Sequence, residues 1–171
     1  MIFRRRPALP ADRRPPLVTD ERVVAWSESD SGVLVATNLG LWLPDFTSWH
    51  LIHKATWDGA TLVVTPAREV ASREGYVVVA DLPALSFRLT SPGDLPDQVR
   101  TRVTRSVGYT AQHPLPGGGG MRVAARRVPG VDGLRWTVRY DPGVDSSGPA
   151  VVEATDELVG HIQAEVVVPP G

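Results

Sequence analysis

The sequence predicts an α+β protein that is mostly β. It is expected to hold a seven-stranded antiparallel sandwich, or partly open barrel, capped by one helix and followed by a ββα extension. Three observations carry this expectation. Short runs rich in Val, Trp, Leu and Thr recur between Arg22 and Thr90, each bounded by Gly, Pro, Asp or Asn. Apolar residues then take up a four-residue spacing at Leu95, Val99, Val103 and Val107, the stripe of an amphipathic helix. Beyond Gly117–Gly120, two further alternating runs precede a second apolar stripe.

Taken in order, residues 1–16 combine five Arg with Pro7, Pro10, Pro15 and Pro16 and show no periodicity, which predicts a basic, Pro-rich flexible arm. Residues 17–112 form the β-domain. Its first strand runs from Arg22 to Glu28 and turns at Ser29-Asp30-Ser31-Gly32. Val33 to Pro44 is split at Asn38 and Gly40 into two short strands, because both residues suit a tight hairpin. Trp49–Trp57 and Ala60–Thr65 flank Asp58-Gly59, a strong hairpin signal, and Pro66 is expected to stop the second. A polar link leads to Tyr76–Ala80 and Leu85–Thr90. Asp94 opens the capping helix, 94–108, and Gly108 closes it. Residues 113–120 read as a Pro/Gly linker. The final ββα unit, 121–171, joins strands Met121–Val128 and Leu134–Asp141 to a helix beginning at Pro149, with Val151, Leu158, Val159, Ile162 and Val166 on one stripe.

A chain of 171 residues has room for a sizeable core without covalent staples. It contains no Cys, which excludes disulfides, thiolate metal sites and thiol nucleophiles. No apolar run approaches the roughly 20 residues that span a bilayer, and Met1 to Pro7 lacks the apolar core of a signal peptide, so the expected compartment is the cytoplasm. Lys54 is the only lysine among 18 cations, and this Arg-, Ala-, Val-, Gly- and Pro-rich usage is of the kind encoded by GC-rich bacterial, actinobacterial-type genomes. Net charge is only −1, yet residues 1–16 and 98–139 together hold thirteen of the cations, so a local positive field is expected.

The element order, seven strands and then a helix, resembles the pleckstrin-homology superfold over residues 20–109. Thr37-Asn38 followed by Leu41-Trp42-Leu43 is similar to the bacterial PH-like pattern in which one apolar strand enters a Thr-Asn turn and another leaves it. Trp49–Trp57, Asp58-Gly59 and Leu62-Val63-Val64 supply the next hairpin. The resemblance implies a scaffold that serves many kinds of partner, and no particular ligand.

Little catalytic chemistry is legible. His50 and His53 lie three apart in a strand and point to opposite faces, so they do not converge on a metal. His113 falls in a Pro-rich loop, and His161 with Glu157 and Glu165 reads as a charge-paired, solvated helix face. Ser146 and Ser147 suit helix capping, and no Ser sits in a strand-to-helix elbow. Trp26, Trp42, Trp49, Trp57 and Trp136 are explained by core and cross-strand packing. No catalytic residue, metal site or cofactor is expected.

The arginines are the candidate site. Alternation puts Arg135 and Arg139 on one side of their strand, opposite Leu134, Trp136, Val138 and Tyr140, while Arg122 and Arg126 share a face of the neighbouring strand. In a suitable register the four guanidinium groups would gather on one surface, with Arg100, Arg102 and Arg105 of the helix nearby. Guanidinium favours planar contact with phosphate or carboxylate, and a solvated face paired to acids is the competing reading. The expected function is a non-enzymatic binding or scaffold module with a protein partner, the arm serving as a tether to an acidic surface. The alternatives are a polyanion binder, using this face on nucleic acid or an anionic membrane surface, and an enzyme with an unrecognised site.

Overall fold

Eleven strands and two α-helices make up the described residues, 7–168, of this computed structural model, so the class is α+β and mostly β, as the turn-bounded runs predict. The strands are β1 (Val23–Ser29), β2 (Gly32–Thr37), β3 (Gly40–Trp42), β4 (Phe46–Ser48), β5 (Ile52–Trp57) and β6 (Thr61–Arg73). They continue with β7 (Tyr76–Asp81), β8 (Leu85–Arg88), α1 (Leu95–Ser106), β9 (Val107–Pro114), β10 (Gly120–Arg127), β11 (Leu134–Tyr140) and α2 (Pro149–Glu165). Among these residues no helix is long and apolar enough to cross a membrane. The chain divides into two compact units, one running to Pro66 and resuming at Pro83–Thr104, the other made of Ala67–Leu82 and everything from Arg105 onward.

In the first unit β1 to β4 form an antiparallel meander, and the first half of β6 lies between β5 and β8 in a three-stranded sheet. Local chemistry sets the turns. Asp58 Oδ1 accepts the Ala60 and Thr61 N–H groups at 2.8 and 2.7 Å, which holds its carboxyl below the usual range, and Gly59 supplies φ 96°. After β2, Thr37 Oγ1 accepts the N–H groups of Leu39 and Gly40, while Asn38 ties down the chain before β1 by accepting Arg22 N–H at 2.7 Å and donating to Asp20 O at 3.0 Å. Gly40 has no substitute here, because a Cβ would lie 2.4 Å from Thr47 O. Leu34, Leu41, Ile52, Leu62, Val64 and Phe87 from the two sheets, with Trp49 from the turn between β4 and β5, meet Leu95, Val99 and Val103 of α1 in one buried cluster.

The second unit is a five-stranded sheet in the order β6, β7, β11, β10, β9, antiparallel except where β11 runs parallel to β7. One face carries Tyr76, Val78, Met121, Val123 and Val138, which pack with Val159 and Ile162 of α2. The stripe expected on the final helix is the one that faces this core, Val151, Leu158 and Val166 packing at its margin.

Several expected boundaries move. Pro66 does not end its strand: β8 stops pairing opposite Val64 and β5 opposite Pro66, and β7 begins opposite Ala67, so the missing N–H falls where β6 changes partners. The polar link after it is the second half of β6 and a Glu74-Gly75 turn, with Gly75 at φ 83°. Tyr76–Ala80, expected in the seven-stranded domain, belongs to the second unit, and Phe46–Ser48 supplies the first unit's remaining strand. Trp49–Trp57 is not one strand, because Trp49–Leu51 forms a 3-10 turn that buries the Trp49 ring and aims its Nε1 at Thr37 O, 3.0 Å away. The capping helix ends at Ser106 rather than 108, and the expected linker begins inside β9, which extends the ββα unit by a strand. The cap of α2 is Gly148, not a serine. Of the flexible arm, residues 1–6 lie outside the described residues. Residues 7–16 lie against β1: Leu9 is buried, Trp26 Nε1 donates to Pro7 O at 3.2 Å, and Arg13 pairs with Glu28.

Candidate functional site

The register of β10 and β11 brings four of the seven expected arginines together. Arg122 stands opposite Arg139 and Arg126 opposite Arg135, with Ala124 and Thr137 between the two rows. These residues occupy the sheet face turned away from the α2 core, because Met121, Val123, Trp136, Val138 and Tyr140 take the other. Arg100 and Arg102 belong to the first unit, where Arg102 Nε donates to Gln98 Oε1 at 3.3 Å along the helix. Arg105, at the end of α1, is exposed and gives its carbonyl to Arg127 Nη1 at 3.0 Å.

The gathered guanidinium groups are largely engaged within the face. Arg135 reaches across β7 to form an ion pair with Glu69 of β6. Arg139 Nη1 donates to both oxygens of Asp81 at 3.0 Å. Arg122 Nη1 donates to Thr110 Oγ1 at 3.1 Å. Arg126 is buried at 7% exposure and donates to Ser106 Oγ at 3.0 Å. Burial, and after it the nearby charge of Arg139, pushes the Arg126 guanidinium down to about 10. Two carboxylates thus neutralise two of the four cations, and a third cation is withdrawn from solvent.

Glu69, Asp81, Ser106 and Thr110 are the members of this face that sequence reasoning missed. Glu69 was hidden because Ala67–Arg73 is too polar to read as a strand, and Asp81 because it closes a run assigned to another sheet. Both become legible only once the parallel pairing of Val77 with Thr137 is known.

The opposite face of the same sheet holds a second polar cluster. Arg73 Nη1 donates to the hydroxyls of Tyr76 and Tyr140 at 3.1 and 2.8 Å, and Nη2 to Ser146 O at 2.6 Å. Tyr76 in turn donates to Asp156 Oδ1 at 2.5 Å, and Tyr140 shares a 2.6 Å bond with Thr155 Oγ1. Burial pushes the Tyr76 hydroxyl up to about 12, the Arg73 hydrogen bond opposing it and Asp156 adding to it. Burial works against the charge of Arg73, yet the two tyrosine hydrogen bonds hold it above its ordinary value. Tyr76–Asp156 and Tyr140–Thr155 join sheet to helix and Arg73 ties the two tyrosines together, so the cluster is a clamp on α2.

Among the described residues no group of His, Asp and Glu could hold a metal ion. His50 Nδ1 is hydrogen bonded to Ser48 Oγ at 2.8 Å, and His161 pairs with Glu165 at 3.3 Å, as the charge-paired helix face predicts. Two hollows of about 430 Å³ open on the second unit, one beside Asp81, Arg139 and Asp141, the other beside Pro114, Leu158 and His161. No protein-family model, curated protein or solved structure matches this chain.

Proposed function

We propose that the chain is a non-enzymatic cytoplasmic binding module whose partner is a protein, and that its first unit is a PH-like scaffold. Four meander strands, a three-stranded sheet and a closing helix around one core support the scaffold reading. The observation that carries the binding reading is β9. It pairs with β10 on one side, and among the described residues no strand pairs with its other side, which leaves an eight-residue edge able to accept an extended segment of a partner. Thr110 and Ala111 are neighbours, so their N–H groups point to opposite sides of β9. One of Thr110→Pro and Ala111→Pro therefore removes an outward donor alone. A partner purified after capture should bind the outward-side variant at least ~10-fold more weakly while the fold persists. Equal binding by both variants and the parent chain would sink the edge.

A second reading, polyanion binding, is favoured by the register that places Arg122 beside Arg139 and Arg126 beside Arg135. Its test is binding to single- and double-stranded nucleic acid and to anionic liposomes at about 50 and 200 mM salt, the range over which phosphate contacts lose most affinity. Salt-sensitive binding abolished by Arg122→Ala/Arg139→Ala supports it. Binding that survives the double substitution excludes this face.

A further inference from the structure

We infer that β1 carries a recognition groove for an extended proline-rich segment in which an apolar anchor precedes an arginine by four residues, and that the chain's own residues 7–17 occupy it. The inference deepens the binding-module reading and rests on it, but it concerns a different surface from β9.

Three contacts define the groove. Leu9 is the one buried residue of this segment. Trp26 Nε1 donates to the carbonyl of Pro7, and Glu28 takes the guanidinium of Arg13. An indole N–H offered to a proline carbonyl, an apolar slot, and a carboxylate for an arginine are the means by which aromatic grooves hold polyproline II ligands. Two residues of the segment have that form, Pro10 at φ −55° and ψ 141° and Arg14 at φ −78° and ψ 128°, and the 3-10 turn of Ala11–Arg13 between them carries Arg13 round to Glu28.

The arm is fixed at one end and lightly held along the rest. Glu21 accepts Val18 N–H at 3.2 Å, Thr37 Oγ1 at 2.7 Å and Trp42 Nε1 at 3.1 Å, a buttress that anchors residues 18–21. Beyond it, the Arg13–Glu28 pair is 40% and 50% exposed, so solvent screens it. A hollow of about 550 Å³ remains between Leu9 and Leu17 on the arm and Val24, Ala25 and Trp26 on the strand. The arm therefore underfills its groove. A tethered ligand needs little intrinsic affinity, because the tether holds it at an effective concentration of order mM. A partner segment with a larger anchor, Phe or Trp in place of Leu9, fills the hollow and displaces the arm.

The test uses a peptide of residues 7–17, followed through the Trp26 indole resonance, with a chain that starts at Val18 and with the full chain. The shortened chain should bind the peptide, and the full chain at least ~10-fold more weakly because its arm competes. Leu9→Phe in the peptide should tighten binding, and Leu9→Ala in the peptide or Glu28→Ala in the chain should weaken it. Where the shortened chain does not fold, the full-length Leu9→Ala/Arg13→Glu variant takes its place and should bind the peptide that the parent chain excludes. No indole shift up to about 2 mM peptide with a folded open-groove chain overturns the inference, that range covering the tethered concentration. Equal binding by both chains overturns it too, as does an arm-exchanged dimer, which would place a second copy's arm in the groove. Capture of a partner at the β9 edge leaves each of these outcomes unchanged.

Discussion

The first unit holds its helix with hydrocarbon, and the second adds a chain of hydrogen bonds. Leu95, Val99 and Val103 of α1 enter a cluster that is otherwise aliphatic and aromatic. On α2, Val159 and Ile162 do the same, but Thr155 and Asp156 also engage Tyr140 and Tyr76, with Arg73 linking the two tyrosines. An apolar interface depends on volume and tolerates small shifts. A polar chain depends on direction, and losing one member leaves the others, part-buried at the helix–sheet seam, short of a partner.

The sharpest way to break the first unit is to remove volume. Trp49→Ala empties a site that is 2% exposed and frees Thr37 O, and it should cost about 3–5 kcal/mol in urea unfolding. In the second unit the larger loss should come from chemistry at nearly constant shape. Arg73→Met keeps the aliphatic stem but strips both tyrosine hydroxyls of a donor, and should cost about 1–3 kcal/mol by the same measurement. A matched Leu95→Met in the first unit should cost less than about 1.5 kcal/mol. If Arg73→Met proves as mild, the clamp contributes nothing beyond packing.

Alkaline titration sharpens the same contrast, since the shifted groups Arg126, Tyr76 and Arg73 belong to the second unit. Arg126 falls from its ordinary value to about 10, so above pH 10 the unfolded chain binds the proton that the folded chain has lost, and stability rises with pH. Tyr76 rises from 10.0 to about 12, so there the folded chain keeps the proton, and stability falls. The two slopes oppose each other. Removing Arg126 (Arg126→Met) should steepen the loss of stability above pH 10, and Tyr76→Phe should flatten it, both read from thermal midpoints across pH 9–11. The smallest effect is expected at the surface. Arg135→Ala breaks a pair whose side chains are about 40% exposed, and should change stability by about 1 kcal/mol or less, with the remainder screened by salt.

The same contrast governs what could be read from the sequence. Asp58-Gly59, Thr37-Asn38 and the four-residue spacing of Leu95, Val99 and Val103 are local signals, and they give most of the first unit to within a residue or two. The hairpin of β10 and β11 and the stripe of α2 were also legible, each within its own window. The parallel pairing of Val77 with Thr137 was not, because nothing local distinguishes Tyr76–Ala80 from a strand of the neighbouring sheet. Glu69 and Asp81 were lost with it. Alternation put each pair of arginines on one face of its strand, whereas the register that sets Arg122 beside Arg139 and their neutralisation across the unseen pairing could not be read. The Pro and Arg content of the arm suggests looseness because it says nothing of Leu9, the buried side chain that seats residues 7–16.

Strand β6 passes from one unit to the other at Pro66, and this bears on how the protein is made. Ala67–Leu82 leaves the ribosome early, but its partner residue Thr137 lies 60 positions after Val77. At elongation rates of about 5–20 residues per second that interval lasts about 3–12 s. During it Thr104 emerges and the first unit can close, while the β6–β7 hairpin waits with a bare edge of Val77, Val78 and Val79. A nascent chain whose first 120 residues have emerged would therefore carry one finished unit and one adhesive ribbon, the stage of synthesis at which a chaperone has most to protect.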